Sequence, residues 1–255
     1  MSLEKLQQNI RRCKTPVALG LAAEAEHLSA ALLRQFTEMY GEGPMATAEA
    51  LRYHGCRVIE KVGGNLPAVY LRAGSYLRYG SVGLDVLANL ASAAQSRGCY
   101  VIADCRVSEP EVWFRALPGA DAVTVTPYAG GESCRCDEGK AVFALVRTAG
   151  ALSGEVQNLM AGDRRLYIAA ADQMARRGAG AVIETGYSLD IRELRKKQEK
   201  LFLILTNCDA AAAETAFDDY GHGALVVDDA IAYAADAGAA AEQAVKTMKR
   251  YVTVV

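Results

Sequence analysis

Short apolar runs alternate along the chain with longer segments whose apolar and polar residues follow a helical period. The apolar runs fall at 17–21, 67–71, 99–103, 120–126, 141–147, 181–183, 201–205 and 224–227. They are apolar at successive positions rather than at every second one, as strands covered on both faces of a parallel sheet must be. The periodic segments between them predict helices over 82–96, 109–117 (with Pro110 in the first turn), 166–177, 189–200, 210–219 and 231–250. Extra helical material is expected over 25–57, and an amphipathic segment precedes the first run. Eight strand-and-helix units in 255 residues predict a single α/β domain over 1–255, a (β/α)8 TIM barrel with an N-terminal helical extension. An open doubly wound sheet is the alternative. The loop after the first run, Gly20-Leu-Ala-Ala-Glu24, lacks the glycine spacing that a dinucleotide requires there.

Composition narrows the function classes. Lysine and arginine number 28 against 30 aspartates and glutamates, a net charge of −2 without a basic stripe, so no nucleic acid is expected as a partner. No apolar run is long enough to span a bilayer, and the first residues lack the apolar stretch of a secretion signal, so neither a membrane partner nor export is expected. The seven cysteines show no zinc-type spacing; Cys134 and Cys136 are the only close pair. Reduced thiols in the cytoplasm are the expectation. The three histidines are scattered and read as structural or solvent-facing.

In a barrel of this type chemistry gathers where strands end and the following loops begin. Those ends place Asp104, Arg106 and Glu109 after the third strand, Thr126 and Pro127 after the fourth, and Arg147 and Thr148 after the fifth. Glu184-Thr185 follow the sixth, Thr206-Asn-Cys-Asp209 the seventh, and Asp228-Asp229 the eighth. Alternation puts Asp104 and Arg106 on one strand face, both directed into the barrel mouth. Tyr70, Tyr76, Tyr79 and the Arg72/Arg78 pair, after the second strand, read as a dimer-interface or surface patch, with a stacking site as the alternative. The strand-end carboxylates Asp104, Glu184 and Asp209 are a candidate Mg²⁺ set.

Three stretches resemble the orotidine 5′-phosphate decarboxylase family in its longer bacterial subgroup. They are Tyr100-Val-Ile-Ala-Asp-Cys-Arg-Val-Ser-Glu109, Asp121-Ala-Val-Thr-Val-Thr-Pro-Tyr-Ala-Gly-Gly-Glu-Ser133 and Lys140-Ala-Val-Phe-Ala-Leu-Val-Arg-Thr148. Looser similarity continues through Arg165-Leu-Tyr167 and 221–227 in the same order. The resemblance implies a homodimeric barrel that converts orotidylate to uridylate in pyrimidine nucleotide synthesis, with no metal and no cofactor. It implies catalytic roles for Asp104, Arg106 and Glu109, the last reaching across the two-fold axis. It also implies ligand contacts from Tyr70, Thr126, Pro127, Thr148 and Gln157, and a nucleotide or sugar phosphate as the small-molecule partner.

Against the family pattern the chain also departs at named positions. Arg106 stands at the lysine of the Asp-x-Lys-x-x-Asp motif, Glu109 at its last aspartate, and Tyr70 at the lysine after strand two. Ala22 stands at a ribose-contacting aspartate and Ala149 at a pyrimidine-contacting serine. The loop 206–209 lacks glycine, and Asp228 falls near the phosphate-gripping arginine. Arginine titrates above ~12 and does not give up its proton, whereas lysine is tunable from ~10.4. A carboxylate beside a phosphate repels it. The expectation is therefore a divergent family member in which efficient decarboxylation is lost, or a barrel repurposed for another small ligand or a protein partner.

Overall fold

The computed structural model describes residues 2–130, 134 and 136–255. The chain enters through helix α1 (Ser2–Cys13) and the strand β1 (Val17–Leu21). Helices α2 (Ala30–Tyr40) and α3 (Pro44–Val62) lead to β2 (Ala68–Leu71), then α4 (Ala73–Leu77) and α5 (Ser81–Ser96) to β3 (Tyr100–Val107). Next come α6 (Pro110–Ala116), β4 (Ala122–Val125) and β5 (Ala141–Arg147). A short helix α7 (Ser153–Gln157) and the hairpin β6 (Met160–Ala161) and β7 (Arg164–Arg165) precede α8 (Leu166–Ala175). The series ends with β8 (Gly180–Glu184), α9 (Ser188–Lys197), β9 (Leu203–Thr206), α10 (Ala210–Ala213), β10 (Ala224–Asp228) and α11 (Ala237–Met248).

Eight of these strands close a parallel barrel in the order β1-β2-β3-β4-β5-β8-β9-β10, and β10 pairs back onto β1. This is the TIM barrel that the alternation predicts. Alternation along each strand divides the core into two layers. Ala18, Tyr70, Ile102, Ala122, Phe143, Val182, Ile204 and Leu225 point into the lumen. Leu19, Val69, Val101, Val123, Val142 and Leu205 point outward into the shell of helices.

The N-terminal extension is structural. Leu6 and Ile10 of α1 are fully buried against the lumen residues Tyr100, Phe143 and Phe202, so α1 closes the N-terminal end of the barrel. Burying two such side chains contributes ~1.5–3 kcal/mol each. Polar ties set its position: Ser2 Oγ lies 2.6 Å from Tyr100 Oη, Lys5 Nζ 2.5 Å from Asp121 Oδ1, and Asn9 Nδ2 donates to the carbonyls of Pro67 and Gly98 at 3.0 and 2.9 Å.

Several boundaries differ from the sequence expectation. The helix expected over 210–219 is the single turn α10 followed by a 3-10 turn at 214–216, because the Asp218 carboxylate accepts from the N–H groups of Tyr220 and His222 and turns the chain. The last helix starts at Ala237, not 231, because Asp236 caps it by accepting from Ala239 N at 3.0 Å. β3 runs to Val107 instead of ending at 103, and the short elements α4, α7, β6 and β7 carry too few residues to register as a period. No disulfide links the described residues, and no helix among them is long and apolar enough to cross a membrane.

Candidate functional site

The C-terminal ends of the strands bring a chain of alternating charges together across the barrel mouth. Arg72, just past β2, holds Asp229, just past β10, through Nε and Nη2 at 3.0 and 2.5 Å. Its Nη1 lies 3.9 Å from Asp104 on β3. Asp104 in turn accepts from Arg106 Nη2 at 3.1 Å, and the same Nη2 donates to Glu184 at the end of β8. The order across the mouth is therefore Asp229, Arg72, Asp104, Arg106, Glu184. Three carboxylates face two guanidiniums, which leaves one negative charge.

Local backbone explains how Arg106 reaches this position. Ala103 pairs with Val123 and Val107 with Val125, so β3 holds two more residues than β4 over the same rise. The bulge is absorbed where Arg106 adopts φ +55°, a left-handed conformation uncommon for a residue with a β-carbon. Thr124 stitches the bulge to β4: its Oγ1 accepts from Arg106 N at 3.0 Å and donates to Asp104 Oδ1 at 2.7 Å. Strand alternation places Asp104 and Arg106 together in the sequence reading, but the observed cause is different. The regular pleat is broken, and the guanidinium folds back onto its own strand.

Burial raises the electrostatic stakes. The side chains of Asp104 and Glu184 are 4 and 7% exposed, against 43% for Arg106. Burial alone would lower the Arg106 pKa; Asp104 and then Glu184 more than offset this and hold it above the ordinary arginine value. Arg72 behaves alike, with burial opposed by the Asp229 hydrogen bond and charge, and it too stays above the ordinary value. Beneath them Tyr70 is wholly buried in the lumen with the Arg72 guanidinium 5.6 Å above its ring. Desolvation first, and the Asp104 charge second, push its phenol well above the usual range.

A second group braces the loop after β5. Gln157, buried on α7, accepts from Thr148 N at 3.0 Å and from Arg147 Nη1 at 3.3 Å, and donates to Thr148 Oγ1 at 2.9 Å. Arg147 also pairs with Asp190 at 3.0 Å. This loop meets the charged chain where Ala149 N lies 3.5 Å from Glu184 Oε2.

Of the residues singled out from sequence, the structure thus gathers Tyr70, Asp104 and Arg106 in one place, with Thr148 and Gln157 alongside as a mutually satisfied pair. Thr126 and Pro127, just past β4, are half-buried and make no side-chain hydrogen bond to the cluster. Glu109 stands exposed before α6, with no side-chain partner among the described residues. Gly131, Glu132 and Ser133, the end of the Asp121–Ser133 stretch, lie outside the described residues, as does Arg135 between the paired cysteines.

The reading of the segment after β2 as a surface patch is corrected. Tyr70 and Tyr76 are 0 and 1% exposed and Arg72 belongs to the mouth, because β2 delivers its end into the lumen; Arg78 alone of the group is exposed. The Mg²⁺ set does not assemble either. Arg106 bridges Asp104 and Glu184, Asp209 caps α10 by accepting from Ala212 N at 2.7 Å, and no metal-holding group of three His, Cys, Asp or Glu occurs among the described residues. Sequence reasoning missed Thr124 and the pairing of Arg72 with Asp229. Alternation from Ala122 points Thr124 inward and was the available signal.

No protein-family model matches the chain. It is 26% identical over 261 residues to the orotidine 5′-phosphate decarboxylase of Rhodopirellula baltica, covering 87% of this chain and 84% of that protein. Among solved structures, the OMP decarboxylase of Leishmania donovani superposes with a TM-score of 0.79 at 22% identity, covering 98% of both chains. The orotidine 5′-monophosphate decarboxylase of Plasmodium berghei does so with a TM-score of 0.81 at 14% identity, covering 97% of each. The chain therefore shares the fold of the orotidine 5′-phosphate decarboxylases and resembles that family, at modest identity, along most of its length.

Proposed function

We propose that the chain is an orotidine 5′-phosphate decarboxylase-family protein that binds a small ligand at the barrel mouth and does not turn orotidylate into uridylate. The observation that carries this reading is the placement of Arg106 between Asp104 and Glu184. Decarboxylation leaves a carbanion that needs a proton. A guanidinium held by two carboxylates, above an already high pKa, is a poor acid. Family enzymes have a lysine at that motif position.

The grip on a phosphate is also absent from the expected places. Arg72 is engaged in a two-pronged pair with Asp229, and Asp228, which precedes Asp229 in the chain, has its carboxyl held above the ordinary value by burial. Remote binding energy of a phosphate is what such an enzyme applies at the reacting centre, so its loss lowers kcat/KM. Each ten-fold loss corresponds to ~1.4 kcal/mol of transition-state stabilisation, and the combined changes amount to several such factors.

Following the absorbance of orotidylate with purified protein at saturating substrate tests this. No turnover above background is expected, and Arg106→Lys alone does not restore it, because Tyr70, Ala149 and the loop 206–209 are unchanged. Turnover of about one per second, ordinary for an enzyme, refutes the proposal.

The same reading makes the protein a cytoplasmic homodimer with its barrel mouths facing the two-fold axis, as most soluble oligomers are two-fold dimers. Its support is the exposed apolar side chains of Leu152, Val156, Leu159 and Met160 on the mouth side, together with the exposed Glu109 carboxylate on the rim. Light scattering at micromolar concentration decides between dimer and monomer.

A further inference from the structure

A cleft opens on the flank of the barrel, where the last turns of α1 and α3 and the loop into β2 face helix α11. Its volume is about 640 Å³, within the range of small-molecule sites, and no residue of the charged chain at the mouth lines it. The floor is apolar: Val62, Leu66 and Ala241 are buried and Val245 is half-buried.

The rim is basic. Arg12, Lys61, Lys246 and Lys249 line the cleft, and Glu242 is the one carboxylate among its described lining residues. Of the four cations only Lys61 is in an ion pair, with Asp236 at 2.8 Å. Its stem lies over the first turn of α11, where a β-carbon on Gly238 would come within 2.9 Å of Lys61 Cε. Arg12 reaches only the carbonyl oxygen of Gly98, 3.4 Å from Nη2. Lys246 and Lys249 have no side-chain partner among the described residues. Glu242 precedes Lys246 by four residues on α11, the order that favours a helical ion pair, yet the two do not join. Even with Asp236 counted, positive charge is left over at the cleft, in a chain whose net charge is −2.

Charges of one sign beside apolar walls focus their field into a cleft, and here that field draws an anion. A diphosphate suits the rim better than a single carboxylate, because its several charged oxygens accept from separate donors at once. The Asn65 side-chain amide on the same rim adds a neutral donor. A diphosphate alone leaves the apolar floor bare and most of the volume empty, so the geometry calls for a body attached to it. The net charge and the absence of a basic stripe favour a small molecule over a nucleic-acid strand.

We propose that the flank cleft is a second binding site, for a small molecule that carries a diphosphate on an aromatic or aliphatic body. Arg12, Lys246 and Lys249 hold the phosphates, and the body lies on Val62, Leu66, Ala241 and Val245. The site stands whether or not the mouth binds a ligand.

Titration calorimetry of the full chain with inorganic diphosphate, ADP and geranyl diphosphate, at constant ionic strength and without divalent cations, tests the proposal. ADP or geranyl diphosphate is expected to bind at least about ten-fold tighter than inorganic diphosphate, and which of them does so tells an aromatic body from an aliphatic one. Lys246→Ala combined with Lys249→Ala is expected to weaken that binding at least about ten-fold. Lys196→Ala combined with Lys197→Ala, the same loss of charge on α9, is expected to change it less than about two-fold. All four lysines are exposed, so the circular dichroism spectrum is expected to stay intact. Equal weakening by the two pairs would mean general attraction and overturn the site, as would no binding by any of the three molecules. Inorganic diphosphate binding as tightly as both larger molecules overturns the attached body. A single-stranded oligonucleotide binding more tightly than all three overturns the ligand class in favour of nucleic acid.

Discussion

Gly20 on β1 and Asp229 past β10 share one space. A β-carbon on Gly20 would collide with the Asp229 carboxylate, 2.8 Å from its Cγ and 2.9 Å from Val227 Cγ1. The bare glycine lets Asp229 lean over β1 and meet Arg72, so one end of the charged chain depends on a missing methyl group.

Gly20→Ala is therefore expected to push Asp229 off Arg72 and to destabilise the barrel by ~1–3 kcal/mol in urea denaturation. Combined with Asp229→Ala the cost should be less than the sum of the two single changes, by ~0.5 kcal/mol or more, because the two sites are in contact. Strict additivity would show that the carboxylate moves aside without loss.

The lumen hydroxyls make an opposite prediction for stability. Tyr70→Phe and Thr206→Val remove buried oxygens that have no hydrogen-bond partner among the described residues, so neither should lower the urea midpoint, and each is expected to raise stability by up to ~1 kcal/mol. A loss above ~1 kcal/mol in either variant would mean that the oxygen is already satisfied.

Helix α1 is expected to behave as part of the core rather than as an appendage. Leu6→Ala and Ile10→Ala each empty volume at the closed end of the barrel, and ~2–5 kcal/mol of destabilisation is expected for each. Losses under ~1 kcal/mol in thermal and urea unfolding would show that α1 merely leans on the barrel.

His54 supplies a pH dependence. Its Nε2 lies 2.8 Å from the Ala232 carbonyl oxygen and its ring stacks on Tyr233 at 4.9 Å. Burial lowers its pKa from 6.5, against the pull of that carbonyl. Around and below the ordinary value the unfolded chain binds the proton more readily, so this contribution to stability is complete above about pH 6.5 and declines as pH falls through the folded pKa. Urea midpoints measured from pH 8 to 5 should fall less steeply for His54→Gln than for the unmodified chain. Parallel profiles would assign the acid sensitivity to other groups.

The fold was legible because its signal is repeated: every barrel strand announces itself as an apolar run, and closure follows from their number and spacing. What escaped was local. The turn at Asp218 and the cap at Asp236 are single side-chain-to-backbone bonds, which no period reports. At the site, Asp104, Arg106 and Tyr70 were legible as strand-end positions. Arg72 was misplaced on the surface, because its partner Asp229 lies 157 residues away and nothing local marks the pair. Thr124 was hidden by an expected strand that ended one residue too late, at 126 instead of Val125, which drew the eye to Thr126.

The surplus length of β3 has a mechanical consequence. Below Ala103 its rungs are locked to β4 in register; above it, two extra residues are fitted in before Val107 pairs with Val125, held by the Thr124 hydroxyl and by the bonds of Arg106 to Asp104 and Glu184. The segment from Arg106 to Glu109 is thus joined to the barrel across an inserted pair of residues rather than by continuous rungs. A shortened or lengthened chain there would be taken up by the inserted residues before it reached the rungs beneath. Change at the mouth end and constancy in the frame can coexist on one strand, because an altered length has a place to go.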